Sequence, residues 1–535
     1  MEATGKKTFV KGVAILGVAG LICKVIGALV RIPLYNMLGD GMQYYEAVYP
    51  YYSTLITIST AGLPTAISRM VAERVTLGDY LGARRVFRKA QFLLVCFGAV
   101  TAALMFFGAD ALARSTVGPG AAVSFRAMAP SLLIVSLLCS YRGYLQGMQR
   151  MAATAVTQLV EQIGKLVIGL YLAALWMPRG LEFGALGAVV GVTLSELIAL
   201  SVICIMYASR AKTLLPPQSP SIPVGDQNVF RDLMLIAVPV TIGGSIVSLT
   251  GIVDASLIKR TLMEIGFSDA AASMRYVCLR SNVSTIINMP AVLTVALAMG
   301  LVPAISAART RRDKREMDVI SNMGIKISML IGMPCTVGLF VLARQSLDLL
   351  YNIDPVRLSI ATSLMQTSSF CVLFLSLAQG LTGILQGLGK QNQPVINLAI
   401  GGVCKVIVMV LLLRNPAIEI QGAAISNVVC YAVAGILDMI CLVRYTKLKV
   451  DVSGAILKPA VAALAMGAAA YFANVFFSLR IIGRHGDSIS TALSIAVAAI
   501  VYVFLILLFR VFSEEELKLI PGGRLLCRLL YGGKS

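Results

Sequence analysis

The sequence predicts an all-α polytopic membrane protein with about fourteen transmembrane helices, arranged as two six-helix repeats (an N-lobe and a C-lobe) plus two extra C-terminal helices. Three observations predict this fold class. The 535 residues are 58% hydrophobic and only 13% charged. Long apolar segments recur along the whole chain, and two short motifs of the first half return in the second half.

The composition excludes several classes of protein. Soluble domains carry roughly 25% charged residues, so a water-soluble globule is excluded. A single histidine, His485, and a single tryptophan, Trp176, leave little material for acid–base catalysis or for stacking on nucleic-acid bases. The eleven cysteines form no CxxC pair and lie mostly in apolar segments, which is typical of buried thiols. We therefore expect no metal site, no cofactor and no disulfide framework.

The apolar segments have the length of transmembrane helices. A helix needs about 20 apolar residues to cross roughly 30 Å of hydrocarbon. The first segment follows three lysines as a signal peptide would, but it has no clear cleavage site and contains Lys24 and Arg31, which favours a retained helix. Fourteen segments qualify, with approximate limits 8–32, 46–68, 91–113, 127–149, 153–177, 184–208, 232–253, 282–307, 319–343, 358–387, 394–413, 420–443, 455–478 and 488–510.

The positive charges predict the orientation in the membrane. When the 46 lysines and arginines are sorted by alternate sides of the fourteen segments, 28 fall on the side of the N-terminus, 12 on the other side and six inside spans. Cytoplasmic loops carry the excess of Lys and Arg, so we expect a multi-pass protein of the cytoplasmic (inner) membrane with both termini in the cytoplasm. This asymmetry accounts for much of the net charge of +20 without a nucleic-acid partner.

The chain divides by composition into five parts. Four prolines and the absence of an apolar period mark 210–229 as a cytoplasmic linker between an N-lobe, 1–209, and a C-lobe, 230–445. The last two predicted helices occupy 446–512. The tail, 513–535, begins with a capping box and sets arginines against leucines, which predicts an amphipathic segment on the cytoplasmic membrane surface (Ser513, Glu516, Arg524 and Arg528).

Two motifs indicate an internal repeat. GLPTAIS at 62–68 returns as GLVPAIS at 300–306, and RGYLQGMQR at 142–150 returns as TGILQGLGK at 382–390. The second offset, 240 residues, also superposes Lys165 on Lys405. Six spans per repeat is an even number, so both copies keep one orientation and are expected to be related by an axis along the membrane normal.

The opening segment carries a family resemblance. The stretch FVKGVAILGVAGLICKVIGALVRIPLYNMLGDGMQYYEAVYPYYSTLITISTAGLPTAISRMVAERVTLGDYLGARRVFRKAQ resembles the start of the polysaccharide transporters in the multidrug/oligosaccharidyl-lipid/polysaccharide exporter superfamily. Within that branch the chain is similar to the stage V sporulation protein B group, which is related to the MurJ-type lipid II flippases. The resemblance implies an alternating-access flippase for a lipid-linked saccharide pyrophosphate, with membrane lipid and cell-wall synthesis enzymes as further partners.

Cations inside a membrane span are the candidate substrate-binding residues. An unpaired Lys or Arg at the bilayer centre costs about 2.5 to 3.5 kcal/mol, so it normally faces a bundle interior or a water-filled cavity. Lys24 and Arg31 lie seven residues apart on one stripe of the first helix. We expect both in a central cavity, although Arg31 could instead snorkel to the outer interface. The resemblance implies the same pair, with Lys24 where the family more usually has Arg, and ammonium is a point charge that cannot grip phosphate bidentately.

Four further cations lie within spans. Lys165 and Lys405 fall near the middle of their helices and are the next cavity candidates. For Lys165 the alternative is an i,i+4 ion pair with Glu161. Arg142 and Lys326 lie within about two turns of the cytoplasmic face, so for them snorkelling is an open alternative to substrate binding.

Acids inside the spans are scarcer. Asp254 closes the seventh span and is a candidate for ion binding or for an outer gate, with a merely interfacial position as the alternative. Glu161 and Glu196 are further ion-coupling or gate candidates. Asp438 is the fourth acid within a span.

Three functions follow as hypotheses. A cavity with more cations than acids favours a flippase for an anionic lipid-linked saccharide. A drug/cation antiporter of the same superfamily would instead need carboxylates at the cavity floor. A membrane-bound glycosyltransferase or polymerase would need a polar loop with acidic metal ligands, and the segment 254–281 holds only Asp254, Glu264 and Asp269. The protein is therefore expected to be a transporter and not an enzyme.

Overall fold

The computed structural model describes residues 2–60, 62–209, 229–481 and 486–512. Within these residues the chain is helical and contains no β-strand, which confirms the predicted all-α class. An α-helix satisfies its backbone hydrogen bonds within one segment, so it is the form that an apolar chain takes in lipid. Residues 210–228 of the predicted linker, His485 and the tail 513–535 lie outside the described residues.

The first ten α-helices precede residue 278. Their bounds are α1 Glu2–Leu38, α2 Met42–Thr60, α3 Leu63–Thr76, α4 Tyr80–Phe107, α5 Ala109–Arg114, α6 Ala122–Gly147, α7 Met151–Trp176, α8 Leu181–Ala208, α9 Val229–Glu264 and α10 Asp269–Val277. The remainder begins with a π-helix, Cys278–Val283, followed by α11 Ser284–Thr310, α12 Lys314–Val341, α13 Ala343–Leu350, α14 Pro355–Gly387, α15 Asn392–Leu413, α16 Gln421–Thr446, α17 Lys458–Arg480 and α18 Gly486–Leu508.

Twelve helical runs among the described residues are long and apolar enough to cross a membrane. One of them, Gly17–Thr76, covers the first two predicted spans. The seventh predicted span, 232–253, lies within α9, and the other eleven spans each coincide with one run. The sequence therefore predicted approximately where the long helices lie, although the second span, 46–68, is divided between α2 and α3. The chain is a multi-pass membrane protein.

Aspartate side chains cap the N-termini of several helices. Asp79, fully buried before α4, accepts a hydrogen bond from the Gly82 amide at 2.7 Å and forms an ion pair with Arg74 at 3.1 Å. Asp313 caps α12 through the Glu316 amide at 2.9 Å. Each cap satisfies an amide that has no partner within the helix.

Contacts divide the chain into two compact units, Met1–Val277 and Cys278–Ser535. In the first unit α9 packs on α2 and α3, where the Gly62 amide donates to Thr241 Oγ1 at 3.2 Å and the hydroxyls of Thr57 and Ser248 lie 3.2 Å apart. The lobe boundaries predicted from the sequence, 1–209 and 230–445, stay a prediction.

The two repeated motifs pack on each other in the same way in both units. A Cβ at Gly147 would lie 2.7 Å from Ser68 O, within the first GLPTAIS motif. A Cβ at Gly387, 240 residues later, would lie 2.7 Å from the Cβ of Ile305, within GLVPAIS. Each glycine therefore lets two helices approach closely at an equivalent position.

The helix ends after these glycines also match. Gln149, with φ 56°, and Gly389, with φ 72°, adopt the left-handed conformation one residue after the C-cap of α6 and α14. The next amides close the turn with the same hydrogen bond, from Arg150 to Leu145 O at 2.8 Å and from Lys390 to Leu385 O at 2.9 Å. This is a Schellman-type ending used twice, and it supports the internal repeat at the level of local geometry.

Candidate functional site

An ion pair within α7 forms the centre of the candidate site. Lys165 Nζ lies 2.7 Å from Glu161 Oε1, one helical turn earlier, and both side chains are largely buried. The i,i+4 spacing makes this contact possible without any neighbouring helix. The alternative interpretation of Lys165 from the sequence, an intrahelical pair with Glu161, is therefore confirmed.

A second carboxylate approaches Lys165 from α8. Glu196 Oε1 lies 3.2 Å from Lys165 Nζ and accepts a hydrogen bond from the Tyr52 hydroxyl at 2.6 Å. Glu196 Oε2 accepts a hydrogen bond from the Ser131 hydroxyl. Glu196 is fully buried, so these three donors, from α2, α6 and α7, supply the partners that a buried carboxylate requires.

Arg142 on α6 extends the cluster. Its Nη2 lies 3.1 Å from Glu161 Oε2, and its Nε donates to Thr157 Oγ1 at 3.2 Å. The side chain is 12% exposed. Of the two alternatives, Arg142 does not snorkel in this structure; it turns inward because Glu161 offers it a second carboxylate oxygen.

Arg31 pairs with an acid that the sequence analysis missed. Arg31 Nη1 lies 3.1 Å from Oε1 of Glu46, which is fully buried at the start of α2, and the guanidinium carbon lies 5.2 Å from the Tyr49 ring centroid. The guanidinium is thus held by a carboxylate and by an aromatic face. Glu46 is the first residue of the second predicted span, and an acid at the end of a span does not by itself indicate a functional site.

A cavity of about 70 Å³ lies among α1, α2, α7 and α8. This volume is well below the roughly 300–1,000 Å³ typical of small-molecule sites. The rest of the wall is glycine and aliphatic, and its polar lining residues are Arg31, Tyr45, Tyr49, Gln162 and Lys165. Of the predicted site residues, Arg31 and Lys165 line this cavity. Ion pairs connect Arg142, Glu161 and Glu196 to Lys165 without placing them in the lining.

Lys24 is exposed on α1, one turn before the cavity-lining Gly27. Among the described residues no acidic side chain forms an ion pair with it. Lys24 therefore differs from Arg31, Arg142 and Lys165, each of which has a carboxylate partner.

The other predicted residues do not line this cavity. Lys405 is 5% exposed on α15, in the second unit. Asp254 is buried on α9. Lys326, 2% exposed, does not snorkel: its Nζ donates to Val511 O at 3.0 Å and lies 3.4 Å from Asp451 Oδ2. Asp438 accepts a hydrogen bond from the Asn397 amide at 2.7 Å.

The charge balance at the cavity differs from the expected excess of cations. Two bases in the lining, Arg31 and Lys165, and Arg142 beside them form ion pairs with three acids outside the lining. The acids are Glu46, Glu161 and Glu196, and the sequence analysis had credited only two of them to the site. Within the described part of the chain, no group of three His, Cys, Asp or Glu side chains could hold a metal ion.

The sequence and the fold match known membrane transporters. Residues 9–308 match the polysaccharide biosynthesis protein family, and residues 280–411 match the MatE family. Stage V sporulation protein B of Bacillus subtilis (strain 168) is 26% identical over 98% of this chain and 100% of its own length. Lipid II flippase MurJ of the same organism is 24% identical over 81% of this chain and 82% of its own.

A solved structure supports the fold. The inward-facing conformation of a multidrug resistance MATE family transporter of the MOP superfamily aligns with a TM-score of 0.63, covering 80% of this chain and 94% of that one at 15% identity. The family match extends over more than half of the chain and includes every residue of the ionic cluster. The chain therefore belongs to the polysaccharide biosynthesis protein family, in the polysaccharide transporter branch of the multidrug/oligosaccharidyl-lipid/polysaccharide exporter superfamily.

Proposed function

We propose that this protein is an alternating-access flippase that moves a lipid-linked anionic saccharide, a lipid II-like cell-wall or polysaccharide precursor, from the inner to the outer leaflet of the cytoplasmic membrane. Its substrate is a lipid-linked saccharide pyrophosphate, and cell-wall synthesis enzymes are its expected partners. Similarity to stage V sporulation protein B over nearly the whole chain supports this proposal.

The observation that carries the proposal is the ionic cluster at a cavity inside membrane-spanning helices. A charge at the bilayer centre costs about 2.5 to 3.5 kcal/mol on insertion scales, and here three cations and three carboxylates lie on five helices around one cavity. Two of the cations, Arg31 and Lys165, reach the cavity wall. Charged side chains at this position can contact a polar headgroup while the headgroup stays shielded from lipid.

The cations have different proposed roles. Lys24 has no acidic partner among the described residues, so it binds the pyrophosphate, with Arg31 as the second contact. Lys165 and Arg142 stay bound to Glu161. They hold α6 and α7 together and set the local electrostatic field. Lys405 remains a candidate for substrate binding in the second unit. The acids Asp254, Glu161 and Glu196 remain candidates for ion coupling or gating.

The membrane potential supplies a direction. An inside-negative potential favours outward movement of negative charge by about 2.3 kcal/mol per charge per 100 mV. With both termini in the cytoplasm, as the charge asymmetry predicts, an anionic headgroup would move down this gradient from the inner to the outer leaflet.

A drug/cation antiporter of the same superfamily is the second candidate. The observation that favours it is the ionic cluster beside the cavity, where Glu46, Glu161 and Glu196 balance the cations and Glu196 is fully buried. The MATE-like fold is compatible with either function. A glycosyltransferase or polymerase is disfavoured because Glu264 and Asp269 of the 254–281 segment pair with Arg260 and Lys259.

Complementation tests the proposal. A strain depleted of its lipid II flippase should recover growth when this protein is expressed, and lipid II should appear on the outer leaflet. Failure of lipid II to appear, together with gained resistance to cationic drugs, would replace the flippase by the antiporter. An unrelated membrane protein expressed at the same level is the control for overexpression.

A further inference from the structure

One face of α4 is exposed along the helix and carries cations at one end. Arg85, Arg88 and Lys89 are exposed near its start, and Phe92 and Phe107, 72% and 82% exposed, continue the same face. These five positions lie within about 100° of one another around the helix axis, and Lys89 and Phe107 are separated by about 27 Å of helix rise. Since the hydrocarbon of a bilayer is roughly 30 Å thick, the apolar part of the face spans the lipid and the three cations lie at the level of the headgroups.

The three cations have no acidic partner in the described part of the chain. No ion pair there involves Arg85, Arg88 or Lys89. An exposed arginine of the preceding helix differs, because Arg69 of α3 pairs with Glu73 at 3.0 Å. The described residues thus leave the positive charge at this end of α4 without neutralisation.

The second unit contains an equivalent of α4. The capping aspartates of α4 and α12, described above, lie 234 positions apart in the sequence. Gly98 and Gly332 have the same separation, and each approaches a serine: a Cβ would lie 2.7 Å from the Cβ of Ser136 in the first case and 3.0 Å from the Cβ of Ser376 in the second. The helix α12 is therefore the repeat equivalent of α4.

In the second unit, protein covers the corresponding face of α12. The helix α17 packs on α12, where a Cβ at Gly467 would overlap Val337. Before α17 begins, the Asn322 amide donates to Lys449 O at 3.1 Å, and Asn322 Oδ1 accepts a hydrogen bond from the Asp451 amide at 3.1 Å. This face is thus covered near the start of α12 and again toward its end.

In the first unit the same face is open. Arg88 stands at the position equivalent to Asn322, and Ala103 stands at the position equivalent to Val337. Both are exposed, so no described residue of the first unit takes the place that α17 and its preceding segment have in the second. An open apolar face in a bilayer is filled by lipid, and here it ends in three cations.

We propose that this face of α4 is a binding site for an anionic phospholipid, whose phosphate contacts Arg85, Arg88 and Lys89 and whose acyl chains lie along the apolar residues up to Phe107. The guanidinium fork matches two phosphate oxygens, and the lysine adds a point charge. The charge asymmetry predicts that this end of α4 is cytoplasmic, where anionic lipids attract basic residues. A second membrane protein fits less well, because its helices would bring their own excess of Lys and Arg to this side. The site is separate from the cavity and does not depend on the transported substrate.

Quenching of a tryptophan by brominated lipids tests the site in the full-length protein. Trp176 is the single tryptophan, so Trp176→Phe combined with Phe92→Trp leaves one reporter, about 4.5 Å of helix rise beyond Lys89. In vesicles of phosphatidylglycerol and phosphatidylcholine, with one lipid brominated at a time, the reporter should show a preference for phosphatidylglycerol of about fivefold or more. Arg85→Gln, Arg88→Gln and Lys89→Gln together should reduce this ratio to about one. Unchanged quenching in vesicles of brominated phosphatidylcholine alone shows that the triple variant is folded and inserted.

Two controls and three contrary outcomes make the test decisive. A reporter at Val403→Trp, an exposed position of α15, should show no lipid preference, and Arg69→Gln should leave the preference at position 92 unchanged because that cation has its own acid. Equal quenching by the two lipids at position 92 would overturn the proposal, and so would a preference that survives in the triple variant. If neither lipid quenches the reporter, protein covers this face and the lipid site does not exist.

Discussion

Lys165 and Glu196 meet across two helices, with Nζ of the lysine 3.2 Å from Oε1 of the glutamate. The two residues are 31 positions apart, and the glutamate also accepts hydrogen bonds from Tyr52 and Ser131. This contact ties α7 to α8 and leaves Lys165 engaged by two carboxylates. The cation that looked central in the sequence is therefore mainly a partner for acids.

Removing Glu196 should destabilise the protein strongly. Removing one partner of a buried ion pair costs up to about 3 to 5 kcal/mol; here Lys165 keeps Glu161 at 2.7 Å, while the Tyr52 and Ser131 hydroxyls lose their acceptor. Glu196→Ala should lower the unfolding temperature in detergent. The matched control is Glu73→Ala, whose pair with Arg69 is exposed and worth about 0 to 1 kcal/mol. Equal shifts for Glu196→Ala and Glu73→Ala would contradict the structural role.

Lys24 should carry the negative headgroup. Lys24→Glu should abolish complementation while the protein stays in the membrane at normal abundance, because a like charge repels the pyrophosphate. Lys24→Arg should be tolerated, since the charge is kept and the guanidinium can bind a phosphate through two parallel hydrogen bonds. The assay is lipid II on the outer leaflet, normalised to protein by immunoblot. Full flipping by Lys24→Ala would remove the main residue of the mechanism.

The repeat glycines should be sensitive to a single methyl group. Gly147→Ala and Gly387→Ala would each place a Cβ within 2.7 Å of the partner helix, and overpacking of this kind costs about 1 to 3 kcal/mol. Gly300→Ala is the control, because nothing lies within 4 Å of its Cβ position and alanine is the better helix former by up to about 1 kcal/mol. Thermal unfolding in detergent should rank both repeat variants below Gly300→Ala; any other order refutes the close approach.

Asp451 should contribute stability that is lost in acid. A hydrogen bond from the Gly454 amide, 2.9 Å away, and then Lys326 hold the pKa of this carboxyl below its usual value, against the opposing effect of burial. A lowered pKa in the folded state means that the stabilisation is present above the ordinary Asp pKa of about 3.9 and disappears as pH falls through the lowered value. Asp451→Asn should therefore lower the unfolding temperature at pH 7, with the difference from wild type shrinking toward pH 3. A difference that is constant with pH would exclude the ionic contribution.

The orientation in the membrane can be tested at two positions outside the described residues. In a background free of the eleven native cysteines, a cysteine at position 485 should react with an impermeant maleimide from outside the cell. A cysteine at position 218 should react only after lysis. Both results follow from the excess of cations on the side of the N-terminus, and the reverse at either site would invert the predicted topology.

The sequence by itself determined where the helices lie and that the motifs around 62–68 and 142–150 recur, and it offered the Lys165–Glu161 pair as one of two alternatives for Lys165. These are local properties: a window of about 20 apolar residues is enough to require a helix in lipid, and an i,i+4 pair needs only one helix. Only the tertiary structure decided that Glu46 faces Arg31, that Glu196 faces Lys165 and that Tyr49 and Gln162 border one cavity. Those contacts depend on how each helix is rotated against its neighbours, and small residues and close packing between helices set that rotation, which hydropathy does not record.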